Sequence, residues 1–183
     1  MNPLTVAFKE WAVICRALAE GRQSLILRKG GIVEPDGEFR VEHHRFWLSP
    51  TFTHQMETGI VEAYQPLLAH VRAGVDGRVH LSHIVEVVRV SHLTTLEQAH
   101  ALAGQHGWSE ATVTARFHYR TPGLFALFVR VYEASSHDII ETDEYRGCKS
   151  WVTLEEPLSL VETRPVLDDA AFAKASEVCR ALH

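Results

Sequence analysis

The chain has 183 residues, of which 46% are hydrophobic and 22% charged, with a formal net charge of -5 at pH 7 and a pI near 6.2. This composition suits one folded domain with a sizeable core and excludes a disordered chain. The acidity excludes a protein that coats nucleic acid by bulk charge, because counterion release needs many cations on phosphates, although the twelve histidines, counted neutral here, bring the charge towards zero below about pH 6.

From Thr5 to Glu20 the residues Phe8, Trp11, Ala12, Cys15, Leu18 and Ala19 recur at helical spacing, with Thr5 as N-cap and Gly21 as C-cap. The competing reading makes Trp11 to Leu18 a strand that turns at Glu20 and Gly21 into the next one. Ser24 to Arg28 is a strand under either reading. Glu34-Pro35-Asp36-Gly37 is turn chemistry, flanked by short strand segments at Phe39, Val41 and Phe46 to Leu48.

Val61 to Val71 reads as a helix interrupted at Pro66, and Gly74 to Gly77 as a turn. His80 to Val90 is dense in β-branched residues and reads as a strand. A helix opens at Thr94 or Thr95 and runs to Gly104 or Gly107, and a second short one spans Ser109 to Phe117. Leu124 to Tyr132 and Ser150 to Leu154 are strands, and a helix runs from Asp168 to Leu182 after a connector containing Pro165. Without regular strand-helix alternation, this order predicts an α+β fold with a small curved mixed sheet or a barrel-like one. Residues 1–157 form the expected domain, and 158–183 a C-terminal connector and helix packed on it.

Cys15, Cys148 and Cys179 are far apart, odd in number and free of CxxC spacing, which suggests neither a disulfide framework nor a thiolate zinc site. No secretory-signal pattern and no bilayer-length apolar stretch is present, so a cytoplasmic location is expected.

Four groups of residues bear chemistry. Arg28, Lys29, Gly30 and Gly31 end a Leu/Ile run with two cations and two glycines, a pattern that can cradle a phosphate through a guanidinium fork and close backbone amides. The same pattern is also that of a solvated turn. Tyr145, Arg146, Gly147, Cys148, Lys149, Ser150 and Trp151 interleave cations with aromatics, which suits stacking on a base while a cation meets phosphate, or a turn leading a core tryptophan into the last strand. Glu42, His43 and His54 offer a carboxylate and imidazoles, a set that binds zinc or iron. On a strand His43 and His44 face opposite sides, so only one of them can join His54. Trp47 adds an aromatic surface near the first group.

The run Gly21-Arg22-Gln23-Ser24-Leu25-Ile26-Leu27-Arg28 resembles the ASCH signature of glycine, any, lysine, two of any, glutamate, any, arginine, with Gln23 and Ile26 in place of the lysine and glutamate. The strand around Ile84 to Val90, the threonine-started helix, the His106 to Ser109 step and the strand at Phe125 to Tyr132 are similar as well. This resemblance implies a small PUA-like barrel that binds or modifies RNA and nucleotides. Gln23 removes the lysine that takes part where such domains hydrolyse an acylated base. Phe8 to Trp11, Leu27 to Ile32, Phe46 to Gln55 and Tyr145 to Val152 resemble the prokaryotic domain-of-unknown-function family 1802 over nearly the whole chain. Some of its relatives are joined to restriction-type nuclease domains, which implies DNA or RNA metabolism or defence, and a nuclease as a protein partner.

Two functions are therefore expected. The first is a binding module for nucleic acid or nucleotides, without cofactor, in which Arg28, Lys29, Gly30 and Gly31 hold phosphate while Trp47, Tyr145, Lys149 and Ser150 approach a base. The alternative is a metal-assisted hydrolase of a phosphate-bearing substrate, with zinc or iron on Glu42, His43 and His54.

Overall fold

A computed structural model describes residues 3–29, 41–52, 57–71, 77–146 and 149–180. Strand β1 (Leu4–Trp11) runs directly into helix α1 (Ala12–Ala19), followed by β2 (Leu25–Arg28) and β3 (Arg45–Thr51). Two 3-10 turns, Glu57–Gly59 and Glu62–Tyr64, lead into the single turn α2 (Gln65–Leu68). Then come β4 (Arg78–Leu93), α3 (Leu96–His100), α4 (Glu110–Phe117), β5 (Leu124–Ile140), β6 (Trp151–Leu158), β7 (Thr163–Pro165) and α5 (Asp169–Arg180).

The segment expected as one helix from Thr5 to Glu20 is thus half strand and half helix. Leu4 to Trp11 is sandwiched in the sheet, and both of its faces are buried from Ala7 onward, so the alternation that marks a strand is lost. The expected helix over Val61 to Val71 shrinks to the Glu62–Tyr64 turn and α2, with Pro66 in the first turn of α2, where its missing N–H costs nothing. The connector after Leu158 contributes β7 to the sheet. The turn at Glu34 to Gly37 lies outside the described residues.

The starts of α3 and α4 follow local chemistry. Thr95 caps α3 in a capping box with Gln98, and the Ser109 hydroxyl accepts the Thr112 N–H at the start of α4.

Among the described residues seven strands form one mixed sheet in the order β2-β5-β4-β3-β1-β6, with β7 also on β5. Of these strands only β1 and β3 pair in parallel; the other pairs are antiparallel. The sheet does not close into a barrel by strand pairing, but it curls. Register shifts near Ser82 and Val88 let the long β4–β5 ribbon bend, and three strands separate β2 from β1 in the sheet order. Even so, the Arg28 guanidinium of β2 donates to the Lys9 carbonyl of β1 at 2.7 Å.

Successive residues fill opposite faces of the curled sheet. Phe8, Phe46 and Val85 belong to the larger core beneath α1 and α4, while their neighbours Ala7, Trp47 and Ile84 pack with Tyr145, Leu154 and Leu160 on the other face. Each large apolar side chain removed from water in this way contributes roughly 1.5–3 kcal/mol. Among the described residues no helix is long and apolar enough to cross a membrane.

Candidate functional site

Strand β2, at one edge of the curled sheet, meets β1, which lies next to the other edge strand, β6. Phe8 and Glu10 alternate onto the interior face of β1, and Glu10 is 2% exposed. One of its oxygens accepts the Trp11 N–H at 2.7 Å, and the other accepts from Arg28 Nη1 at 3.2 Å. Burial raises the Glu10 carboxyl above its ordinary range, and Arg28, the Trp11 amide and Arg116 offset part of that rise. The Arg28 guanidinium also lies over the Phe8 ring, 4.4 Å from its centroid. Its bonds to Glu10 and to the Lys9 carbonyl engage two of the guanidinium's five N–H groups, so the pair fixes its plane.

Phe8 also meets Trp151 edge-on at 4.7 Å, and Trp151 touches Phe46 at 5.0 Å and the imidazole of His43 at 5.3 Å. Trp151 and His43 are half-buried, and Lys149, two residues before Trp151, is exposed. Arg28 and Trp151, far apart in the chain, therefore meet on the fully buried Phe8 ring with His43 against Trp151, and the partly exposed faces of the three form the mouth of this cluster. Lys9 turns to the other face, where its ammonium donates to the Tyr145 carbonyl at 2.7 Å.

The residues expected to cradle phosphate separate in the structure. Arg28 lies in the mouth. Lys29 points the other way, and its ammonium donates to the carbonyls of Phe117 at 3.2 Å and Gly123 at 2.7 Å and to that of Thr121, capping the C-terminal end of α4. Gly30 and Gly31 lie outside the described residues.

Two of the expected base contacts are corrected by burial. Trp47 is fully buried against Leu81 and Ile84, and the His137 ring meets it edge-on at 5.3 Å. Tyr145 is buried too, its hydroxyl accepting the Glu155 N–H at 2.8 Å. Neither ring has a face open to a base. The Ser150 carbonyl accepts the Lys9 N–H at 2.9 Å, which ties the Lys149–Trp151 segment to β1.

Among the described residues no group of three His, Cys, Asp or Glu side chains is placed to hold a metal. Glu42 is exposed, the His43 ring is occupied with Trp151, and His54 lies outside the described residues. Cys15 is buried with its thiol on the Glu10 carbonyl, and burial pushes the thiol well above its usual range, so it is held as a thiol. Glu10 is the partner that motif reading misses. Its signal is the Lys9-Glu10 pair inside an otherwise apolar run, since buried charges need counter-charges.

The family model described as "Domain of unknown function (DUF1802)" matches residues 7–177. No curated protein matches the sequence. Among solved structures, the crystal structure of ASCH from Zymomonas mobilis is similar at 10% identity and a TM-score of 0.48, over 82% of this chain and 87% of that one. One mutant form of that protein matches at 10% identity with a TM-score of 0.49, over 82% and 90% of the two chains. A second mutant form matches at 10% identity with a TM-score of 0.48, over 85% and 92%.

Proposed function

The chain belongs to the domain of unknown function 1802 family, whose description names no reaction, and we propose from the chain's own residues that it is a binding module for single-stranded nucleic acid or nucleotides. The observation that carries this reading is that Arg28 and Trp151 both lie on the Phe8 ring, with His43 against Trp151. A cation fixed beside a half-buried aromatic wall is the pairing that a nucleotide requires. The base stacks on the aromatic surface, a contribution of about 1–3 kcal/mol per base, and the phosphate meets guanidinium or ammonium.

In this reading Trp151 and His43 form the stacking wall, Arg28 turns its outer N–H groups to a phosphate, and Lys149 extends the positive edge along the strand. Glu10 and the Lys9 carbonyl are positioning groups that hold the Arg28 plane. Lys29 takes no part, because its ammonium serves α4. The acidic whole and the local cations together favour a short site over a long track.

Fluorescence anisotropy of labelled single-stranded DNA, single-stranded RNA and duplex DNA at two salt concentrations tests this, with metal content recorded on the same sample. Salt-sensitive binding to a single strand is expected, weakened at least about tenfold by His43→Ala combined with Lys149→Ala at unchanged circular dichroism, a loss of about 1.4 kcal/mol. Binding that the double variant leaves intact, or no binding to any of the three, contradicts it.

A further inference from the structure

Strand β5 carries two short strands end to end on its outer edge. Strand β2 pairs with Phe125 to Phe128, and β7 with Tyr132 to Ala134. Arg130 lies at the break between them. Past β7 the chain passes over Gly21, whose φ is +68° and where an added Cβ would stand 2.6 Å from Leu167 Cδ2, and then enters α5. The left-handed backbone favours glycine there, and any larger residue would have to push the Leu167 side chain aside.

Beneath the crossing is a narrow seam, lined among others by Gln23, Ser24, Arg130, Leu167 and Phe172, with no room for a water. Two buried polar atoms of these residues have no hydrogen-bond partner, Gln23 Oε1 and Arg130 Nε. Gln23 is 5% exposed. Its Nε2 donates to the Leu25 carbonyl at 2.6 Å, which fixes which end of the amide is the oxygen. One acceptor and one donor therefore line the same gap, each bearing the cost of burial without compensation.

Helix α5 closes this gap with little. Phe172 lies under the Arg130 guanidinium at 5.1 Å, and Asp169, with a side chain 90% exposed, ion-pairs with Arg130 Nη2. The remaining described side chains of the helix are exposed or only half-buried. Contacts of these kinds are individually weak.

We infer that Gln23, Ser24 and Arg130 form a second ligand site, which Phe172 of α5 fills as an internal plug while Asp169 holds Arg130 from the solvent side. The ligand is a small molecule with an oxyanion next to a hydroxyl or amino donor. Its oxyanion replaces the Asp169 carboxylate on Arg130, its donor satisfies Gln23 Oε1, and its arrival releases α5. The ligand takes the space that Phe172 vacates, and a carboxylate or a phosphate can supply the oxyanion. Gln23 precedes β2 and Arg28 ends it, so this site and the mouth around Phe8 lie at opposite ends of one strand.

Calorimetric titration of the full chain with lactate and with glycerol 3-phosphate tests this and separates the two oxyanions. Acetate and inorganic sulfate, which carry no hydroxyl at neutral pH, serve as probes without the neighbouring donor. The double variant Asp169→Ala, Phe172→Ala is expected to bind lactate or glycerol 3-phosphate at least tenfold more tightly than the native chain. Amide exchange should quicken over residues 167–177 while far-ultraviolet circular dichroism is retained. Adding Gln23→Leu is expected to abolish the gain. Equal affinity of native chain and double variant for both lactate and glycerol 3-phosphate overturns the inference, as does a gain that persists with Gln23→Leu or that acetate and inorganic sulfate show equally. Every variant leaves Arg28, Trp151 and His43 in place, so failure here and failure of the nucleotide reading are told apart.

Discussion

Burial in the turn between α3 and α4 pushes the His106 imidazole down to about 4, from an ordinary 6.5. Its Nδ1 accepts the Trp108 N–H at 3.1 Å, a bond that a protonated Nδ1 cannot accept. The unfolded chain takes up this proton below about pH 6.5 and the folded chain only near 4, so the unfolded state binds more protons within that window and stability falls as the pH drops through it. The full gap is worth roughly 3 kcal/mol at most. Glu10 acts with the opposite sign. Its carboxyl is raised by burial, so its contribution is fully present below its ordinary 4.5 and is lost as the pH rises through the folded value. Urea unfolding of the native chain and of His106→Asn between pH 7 and 4 separates the two, because both proteins keep Glu10 and asparagine keeps an acceptor for the Trp108 N–H. The native chain is expected to lose up to about 3 kcal/mol more than the variant across the window; parallel pH profiles would show that His106 is not held neutral by the fold.

At the scale of elements, α4 is held at both ends by side chains, Ser109 at its start and Lys29 at its finish. Lys29→Met keeps the aliphatic stem and removes the ammonium from the Phe117, Thr121 and Gly123 carbonyls, a loss expected to destabilise the chain by about 1–2 kcal/mol in urea unfolding. Nucleic-acid affinity is expected to stay within about twofold. A large loss of affinity at unchanged stability would return Lys29 to the phosphate site. This residue also shows where sequence reading reaches its limit. Arg28 and Lys29 are adjacent cations after one strand, and only the curl of the sheet sends one to Glu10 and the other to α4. The cap chemistry at Thr95 and Ser109 and the β-branched run of β4 were legible because they are local. The strand β1 was not, because burial on both faces suppresses its alternation. The same burial hides Trp47 and Tyr145, whose aromatic character suggests stacking until both sheet faces are seen to be covered. Strand β7 is only three residues long, too short for any period to show.

For the whole molecule, the curl brings non-adjacent strands face to face. Strands β1 and β2 share no ladder, yet Arg28 ties them together through Glu10, the Lys9 carbonyl and Phe8, and β6 adds Trp151 to the same ring. The result is a curled sheet with a polar and aromatic mouth where β2 meets β1, and with β7 and α5 lying at the far end of β2. A site assembled from β1, β2, β6 and the segment before β3 carries no contiguous motif, which is why its members were read in the sequence as three unrelated groups. In the proposed function the ligand sits in this mouth. Backbone amide chemical-shift mapping during titration of the full chain with a short single-stranded oligonucleotide tests this most directly. The shifts are expected to concentrate at Arg28, His43 and Lys149 to Val152 and to diminish at high salt. Shifts confined to other faces of the sheet, or none at saturating oligonucleotide, would contradict it.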